Sequence, residues 1–560
     1  MKVVGFQSGH DVSYCILENG VPIVHSEWER FLRVKCPQGD GLKFLFDHEE
    51  DTGALEDVEA FTHGNPRTRF GLWAYNDKPE KGEYPCFNIE SDKMMRGTGA
   101  TYNEYSHHLC HAANAYFSSN FNDALIITLD GGGWENESDY PSFKEGFKNK
   151  DGVPAMTTAA AVYIGQANKI YPQHVHPAEE INIGNLWYAV TSRVCGLSWG
   201  YPGGNAAGTL MAMAAMGTDM TERRSEISNS LGFPEHWYRE ENIKILKEWV
   251  GDNEDRKNDM AASVQSITET AVNRMVGFWI KQLKEHSNYE VTKLCIAGGV
   301  ALNSVAMGKV QEWYPQIKEL YIPPVPYDSG LSIGSAQYHY HHVLDQPRVY
   351  WRDNFSPYLG KKYSEKDIML AIQDHDLEFE QVTDTEVIDL LCKDDNVISV
   401  YGGHSESGMR ALGNRSIIAD PRSKTMKAVI NEKVKHRQSF RPFAPSILRE
   451  EVSNWFIRDV ESPYMTLVVP FKDEVVDKIP AVCHVNNTAR LQTVTEASNP
   501  WYYNFIKKFK DKTGVPILLN TSFNDREPIV ETPDHAISCF QKTDIDYLYF
   551  FDCGLLIKKQ

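Results

Sequence analysis

The first two dozen residues alternate between short apolar runs and polar breaks. One apolar run closes at Phe6, a polar turn follows at 8–11, and Val12–Leu17 is apolar again. Asn19-Gly20, a dipeptide suited to a two-residue hairpin turn, then leads into Val21–Val24. Three strands joined by a polar loop and a tight turn are predicted. Further strands are predicted at Ala124–Leu129 and Lys293–Ala297, each running directly into glycines. Apolar positions recur at helical spacing over Asn182–Cys195, Gly208–Met216, Ala261–Lys284 and Leu331–His342. Between about Val343 and Tyr363 the pattern dissolves into proline, aromatic and charged residues, which marks a domain junction. Beyond it come a strand at Val397–Tyr401, a basic stretch reaching Arg449, and a final strand–loop unit around Val515–Val530. No internal repeat and no low-complexity segment is visible. The forecast is a large α/β domain over residues 1–350 and a smaller α/β domain over 351–560.

Composition narrows the classes. A chain of 560 residues is too long for one hydrophobic core, and 42% hydrophobic with 24% charged residues is ordinary for a soluble protein. No stretch approaches the roughly eighteen apolar residues of a membrane span, so no membrane partner is expected. The N-terminal run is strand-like and carries no secretory signal. Ten cysteines stand singly, with no CxxC pair, so neither a disulfide framework nor a zinc ribbon is expected and a cytoplasmic location fits. A net charge of −19 argues against a nucleic-acid polymer, which calls for a basic stripe. Small phosphorylated ligands in a local anion pocket fit better.

Two constellations carry chemistry. In His107-His108-Leu109-Cys110-His111, the first and last histidines stand four apart, one above the other on a helix face. The bare spacing also suits a surface or capping cluster. Asp130, at the end of an apolar strand beside three glycines, and Asp328, beside Ser329-Gly330 and just before a helix, are acids placed where α/β sheets favour nucleotide and metal sites. Two imidazoles and two carboxylates make a nitrogen–oxygen site for Fe(II), Mn(II) or Zn(II). Gly298-Gly299, between strand and helix, allows close approach of a nucleoside or simply tight packing. The second constellation runs from Arg410 to Arg449. Its arginines are interleaved with Gly, Pro and Phe, which fix backbone, and such clamps suit triphosphate oxygens. Ser522 and Asn524 follow on a loop after the strand Ile517–Leu519.

The two constellations in this order resemble the O-carbamoyltransferase family of nodulation-factor, cephem and aminoglycoside tailoring enzymes. The N-terminal part is similar to the universal tRNA threonylcarbamoyl-transfer protein and the C-terminal part to the YrdC threonylcarbamoyl-adenylate synthases. The resemblance rests on Gly9-His10-Asp11, Glu29-Arg30-Phe31 with Arg33 and Lys35, the His107/His111 pair, Asp130, Gly298-Gly299 and Asp328-Ser329-Gly330. In the second half it rests on Arg410-Ala411-Leu412-Gly413-Asn414-Arg415-Ser416, Lys435-His436-Arg437, Phe440-Arg441-Pro442-Phe443-Ala444-Pro445, Asn520-Thr521-Ser522-Phe523-Asn524 and Glu527-Pro528-Ile529-Val530. The chain departs from the family pattern at His404, Met409 and Ala207-Gly208-Thr209. It departs again in the loop after Asn524, which is one residue shorter, and over Gly131–Tyr140.

This resemblance implies an actin/hexokinase-like N-terminal domain, a YrdC-like C-terminal domain and a two-step reaction. Carbamoyl phosphate and ATP, with Mg²⁺, give carbamoyl-adenylate at Arg410, Arg415, Lys435, Arg437 and Arg441, with Ser522 and Asn524 completing the pocket. The adenylate passes to the N-terminal domain, where a metal on His107, His111, Asp130 and Asp328 (Fe²⁺, with Mn²⁺ or Zn²⁺ as alternatives) stabilises developing charge. Gly298, Gly299 and Asn303 seat the adenosine, and His10 takes the proton of a hydroxylated acceptor or, in the blander reading, orients phosphate. The acceptor is a small molecule: a sugar, an antibiotic or a hydroxymethylated nucleotide. Arg67–Tyr75, Gly131–Tyr140 and Tyr171–His176 offer aromatics that would stack on its ring or pack under loops. A homodimer is a family-level expectation. The alternatives are a tRNA-modifying enzyme, a sugar kinase, which explains only the first half, and a catalytically silent nucleotide-binding module. Hydrogenase-maturation carbamoyltransferases carry CxxC repeats that are absent here.

Overall fold

Strand β1 (Lys2–Gln7) is buried along nearly its whole length, as a central strand covered on both faces must be. It pairs antiparallel with β2 (Ser13–Glu18), and β2 with β3 (Val21–Glu27), through a turn in which Asn19 and Gly20 both have positive φ, 51° and 84°. That is the geometry a two-residue hairpin requires. On its other side β1 runs parallel to β4 (Val58–His63), and β4 to β5 (Thr101–Glu104). The computed structural model describes residues 1–48, 55–65, 89–140, 157–177, 182–198, 206–220, 240–351, 354–393, 395–438 and 440–559.

A second sheet repeats this plan. Strand β6 (Asp123–Trp134) pairs antiparallel with β7 (Thr157–Gln166), and β7 with β8 (Lys169–Pro177). On the other side β6 runs parallel to β9 (Lys293–Ala297) and β9 to β10 (Glu319–Tyr321). The orders are β3-β2-β1-β4-β5 and β8-β7-β6-β9-β10, one topology used twice. The sequence shows no repeat because the duplication lives in strand order and not in residue identity. Two helices lie between the sheets and pack on each other: His107–Ser118 against β6 and β9, and Leu331–Gln337 against β1 and β2. Both are buried throughout.

The described residues cluster into two units: Met1–Glu29 with Cys36–Phe355, and Arg30–Lys35 with Ser356–Gln560. The second is built on one mixed sheet of β11 (Glu380–Gln381), β12 (Ile398–Tyr401), β13 (Arg415–Ala419), β14 (Ala444–Leu448), β15 (Leu467–Pro470), β16 (Thr488–Val494), β17 (Ile517–Ser522), β18 (Tyr547–Phe550) and β19 (Leu555–Lys558). Their order is β11-β19-β18-β12-β13-β17-β14-β16-β15. Both units are thus mixed α/β. Arg30 and Arg33 belong to the second: Arg30 donates to the carbonyls of Glu406 and Gly408 (2.7 Å each), and Arg33 to those of Pro528 and Ile529 (2.6 and 2.7 Å).

Several predicted elements are corrected. Asn182–Cys195 is α-helical only over Ile183–Tyr188 and continues as a π-turn to Val194; Leu331–His342 likewise changes after Gln337. Helix Ala261–Lys284 begins earlier, at Glu254, where Asn253 accepts from the N–H of Arg256 as its cap. The strand–loop unit at Val515–Val530 is not final, since helix Pro533–Lys542, β18 and β19 follow. Residues 67–75, predicted to offer stacking aromatics, lie outside the described residues.

Candidate functional sites

Helix His107–Ser118 sets His107 and His111 one turn apart on a single face, with their Nε2 atoms 3.1 Å from each other. Asp130 does not end its strand. It sits where β6 shifts register between Leu129 and Gly133, and the extra residues aim its carboxylate at the helix. Asp328 opens the single turn Asp328–Gly330 that leads into Leu331–Gln337. His111 Nε2 lies 3.3 Å from Asp130 and 3.5 Å from Asp328 Oδ1, and His107 Nε2 lies 3.7 Å from the same Asp328 oxygen. One donor atom from each of the four falls within 4.8 Å of the others. Donors sharing a cation through bonds of about 2.0–2.2 Å stand roughly 3–4 Å apart, so this set fits a divalent ion held by two nitrogens and two oxygens. Close packing makes glycine necessary nearby: a Cβ on Gly133 would come 2.2 Å from the His107 ring.

The two carboxylates and two imidazoles together favour a positive charge shared among them. Burial opposes charge on both imidazoles. At His111, hydrogen bonds to Asp130 and Asp328 outweigh burial and raise the pKa to about 9. At His107, burial, reinforced by the neighbouring His111, prevails over Asp328 and lowers it to about 4. Burial would raise both carboxylates, yet the histidines hold Asp130 and Asp328 below the usual range. The Nδ1 atoms of His107 and His111 are buried without a hydrogen-bond partner.

His10 borders this cluster. Its Nε2 is 3.3 Å from Asp328, its Nδ1 is 2.9 Å from Asp11, and its side chain stays 31% exposed. Burial opposes a proton there, but Asp328 and Asp11 outweigh it and raise the pKa to about 10. Gly299 N donates to Asp130 at 2.6 Å. Gly298 has φ +92°, and a Cβ there would strike the Leu129 carbonyl at 2.1 Å, so tight packing of β9 against β6 accounts for this glycine. Asn303 was expected at the adenosine. It caps helix Ser304–Trp313 by accepting from Ala306 N (3.0 Å) and exchanges two hydrogen bonds with Gln265 (2.9 and 3.1 Å), so both ends of its amide are engaged within the protein.

In the second unit the structure brings together Lys435, Ser522 and Asn524. Lys435 Nζ donates to the carbonyls of Ser522 (2.5 Å) and Asn524 (2.6 Å) and to Asn524 Oδ1 (2.7 Å). Burial, then the adjacent Arg437, pushes this ammonium well below the ordinary lysine range. Arg437 donates to Asn431 Oδ1 at 2.8 Å and lies over the Phe443 ring at 4.9 Å. Burial and Arg441 lower it to about 9. Burial lowers Arg441 too.

Arg490, on β16, joins this group. Burial first, then Arg410, Arg437 and Arg441, pushes it well below the usual guanidinium range. Among the described residues no carboxylate pairs with Arg437, Arg441 or Arg490, so the cluster presents uncompensated positive charge.

Arg415 does not belong with them. It is fully buried, lies 3.8 Å over the Tyr401 ring, and donates to the carbonyls of Gly402 (2.5 Å) and Asn414 (3.0 Å). The expectation that it holds phosphate is corrected: it fastens the loop around Gly402–Gly403. The neighbouring loop is fixed by Glu406, whose Oε1 accepts from the N–H groups of Leu412 (2.8 Å), Asn414 (2.7 Å) and Arg415 (3.2 Å). Asn520 holds the Ala411 carbonyl at 3.1 Å, and Gln492 that of Leu412 at 2.9 Å. Sequence reasoning missed Arg490, Glu406 and the buried Glu135. The available signal was a lone arginine inside the apolar run Ala489–Leu491, and single acids flanking the glycine-rich motifs.

Comparison with known proteins assigns the chain. Residues 88–337 match the family described as Carbamoyltransferase N-terminus, and residues 389–558 match Carbamoyltransferase C-terminus. The chain is 32% identical to the nodulation protein NolO of Bradyrhizobium diazoefficiens over 471 residues, 79% of this chain and 77% of that one. It is also 32% identical to an uncharacterized protein, sll1178, of Synechocystis, over 79% of this chain and 74% of the relative. Among solved structures, T. kodakarensis HypF shows a loose likeness: TM-score 0.37 and 11% identity, over 62% of this chain and 48% of that one. With 32% identity to NolO over most of both chains, and both halves of the family pattern present in order, the chain belongs to the carbamoyltransferase family.

Proposed function

We propose that this carbamoyltransferase is an ATP-dependent O-carbamoyltransferase whose second, YrdC-like unit forms carbamoyl-adenylate and whose first unit transfers the carbamoyl group to a small hydroxylated acceptor. The observation that carries the reading is the group of Arg437, Arg441 and Arg490, whose proton affinity is lowered first by burial and, at Arg437 and Arg490, by neighbouring arginines, with no carboxylate paired to these three among the described residues. A polyanion offsets the repulsion within such a group, and ATP with carbamoyl phosphate supplies one.

Carbamoyl phosphate gives up phosphate to water. The carbamate oxygen then bonds to the α-phosphorus of ATP as pyrophosphate departs with the electron pair of the broken P–O bond. The arginines hold the phosphoryl oxygens through this exchange, and Lys435, fixed by Ser522 and Asn524, lies beside Arg437.

In the first unit, His107, His111, Asp130 and Asp328 are the residues to hold a divalent cation. When bound it would supply Lewis-acid stabilisation of charge on the carbamoyl or phosphate oxygen. In the transfer the acceptor oxygen bonds to the carbamoyl carbon, AMP departs with the electron pair of the broken carbamoyl C–O bond, and His10 Nε2 takes the acceptor's proton while Asp11 fixes its Nδ1. Asp328, which holds a proton on His10, is also one of the four ligand candidates, so a cation there withdraws that charge and lowers the ring's affinity for a proton. Gly299 N, bonded to Asp130, keeps that carboxylate facing the helix.

The test is pyrophosphate release from ATP in the absence of any acceptor. Release that depends on carbamoyl phosphate supports the reading. Absence of release from folded protein would reject the adenylating role and leave a nucleotide-binding module in its place.

A further inference from the structure

Helix His107–Ser118 is not capped by the side chain of its own N-cap residue. Ser106 stands at the N-cap position, but its side chain accepts nothing from the first turn. The first N–H groups of a helix need partners from elsewhere in that case, and the positive helix end favours an anion. Both needs are met by the segment that follows Asp130. Ser106 N and Oγ donate to Asp139 (2.8 and 2.7 Å), and Asn136 N donates back to Ser106 Oγ at 2.8 Å. His108 N donates to Glu135 Oε1 at 3.1 Å. Glu135, 1% exposed, is itself held on both oxygens: Thr158 Oγ1 donates to Oε1 (2.9 Å) and Tyr140 OH to Oε2 (2.7 Å). The His108 ring, wedged between Thr128 Oγ1 (2.7 Å) and the Thr158 carbonyl (2.9 Å), ties the same turn to β6 and β7.

We propose that Glu135 is a positioning residue for the cation cluster, fixing the first turn of the His107–Ser118 helix against the strand that carries Asp130. One stretch, Asp130–Tyr140, then supplies a ligand carboxylate and, five residues later, the anchor for the two imidazoles. The inference rests on the cation-site reading above. Its physical basis is tolerance: a helix rises about 1.5 Å per residue, so a slip of a fraction of a residue carries His107 and His111 out of the 3.3–3.7 Å arrangement with the carboxylates.

The test titrates the full chain, stripped of metal by chelation, with Mn²⁺ alone, reading the free ion by electron paramagnetic resonance. Glu135→Ala is expected to weaken Mn²⁺ binding by about 10- to 100-fold, the usual effect of losing a residue that orients metal ligands. Glu135→Gln, which keeps an oxygen to accept from His108 N and Thr158, is expected to restore affinity to within about threefold of wild type. Carbamoyl-phosphate-dependent pyrophosphate release should be unchanged in both. His111→Ala separates the two readings. If it binds Mn²⁺ as well as wild type, the cation site itself is wrong. If it loses binding while Glu135→Ala keeps wild-type affinity, the positioning role is overturned. Should Glu135→Ala not fold, Tyr140→Phe carries the test by stripping one hydrogen bond from the carboxylate: Mn²⁺ binding weakened threefold or more supports the proposal, and wild-type affinity rejects it.

Discussion

Replacing Arg437 by methionine should make the ligand-free protein more stable and at the same time loosen its hold on polyphosphate. The guanidinium is pushed down to about 9 from an ordinary value above 12, by burial first and then by Arg441. At about 1.4 kcal/mol for each tenfold change in acidity, its charge carries roughly 4 kcal/mol of desolvation and repulsion. Against this stand the hydrogen bond to Asn431, worth about 1–1.5 kcal/mol, and the stacking on Phe443, worth about 0.5–1 kcal/mol. Methionine keeps the apolar contact and removes the charge. The balance favours the variant by about 2 kcal/mol, and roughly 2–4 °C of melting temperature accompanies each kcal/mol in a unit of this size. The second unit of the ligand-free variant should therefore melt about 4–8 °C higher.

The sign with pH follows from the same depressed proton affinity. The folded state is penalised while the guanidinium is charged, at all pH values below about 9, and the penalty fades as pH rises through 9 toward the unfolded value. The variant's advantage should hold near neutrality and shrink above pH 9. Differential scanning calorimetry with and without saturating pyrophosphate measures both effects, because the anion should stabilise wild type more than Arg437→Met. A ligand-free variant that melts at or below wild type, or equal stabilisation of the two by pyrophosphate, would refute the reasoning.

The same logic runs the other way at Arg415, where Arg415→Met should destabilise the second unit by about 3–5 kcal/mol, since it leaves the buried carbonyls of Gly402 and Asn414 without their donor. The folded fraction should keep its KM for ATP within about twofold; unchanged stability with a large rise in KM would return Arg415 to the phosphate site. Mn²⁺ binding must displace the proton that Asp130 and Asp328 hold on His111, so affinity should rise about tenfold per pH unit up to about pH 9 and level off above it. Calorimetry in buffers of differing ionisation enthalpy should show about one proton released near pH 7, and a flat profile would contradict this. His10→Asn should abolish transfer to any acceptor while leaving pyrophosphate release intact, and loss of both would remove its assignment as the base.

Elements whose signal is local were legible. Asn19-Gly20 fixes a turn by backbone conformation alone, and β9 occupies the residues its apolar run marks. The His107/His111 pair was legible because helical spacing dictates which side chains share a face. Its partners were found through a rule of place, acids beside glycine at strand ends, though β6 runs on past Asp130 through a bulge that no residue pattern marks. The duplicated sheet was hidden because strand order depends on pairing between distant segments. The buried Glu135 was hidden for a related reason: an acid two places after a glycine run reads as a solvated loop until the helix it caps is in place.

The arginines show most clearly where a sequence stops informing. Arg415 and Arg437 stand in adjacent motifs, each flanked by residues that stiffen backbone, and nothing in composition separates them. Their difference lies in what surrounds the charge. Around Arg415 the chain turns the carbonyls of Gly402 and Asn414 inward and lays Tyr401 beneath the guanidinium, so the fold itself supplies acceptors to the cation's terminal nitrogen. Around Arg437, besides Asn431 and Phe443, the neighbours are Arg441 and, from β16, Arg490, so like charges gather there with no carboxylate paired to them among the described residues. Arg490 comes from a strand some fifty residues away, inside an apolar run where a lone arginine reads as a surface residue. On the function proposed above, a phosphate-holding arginine is told from a structural one by the like charges gathered around it, which only the folded structure displays.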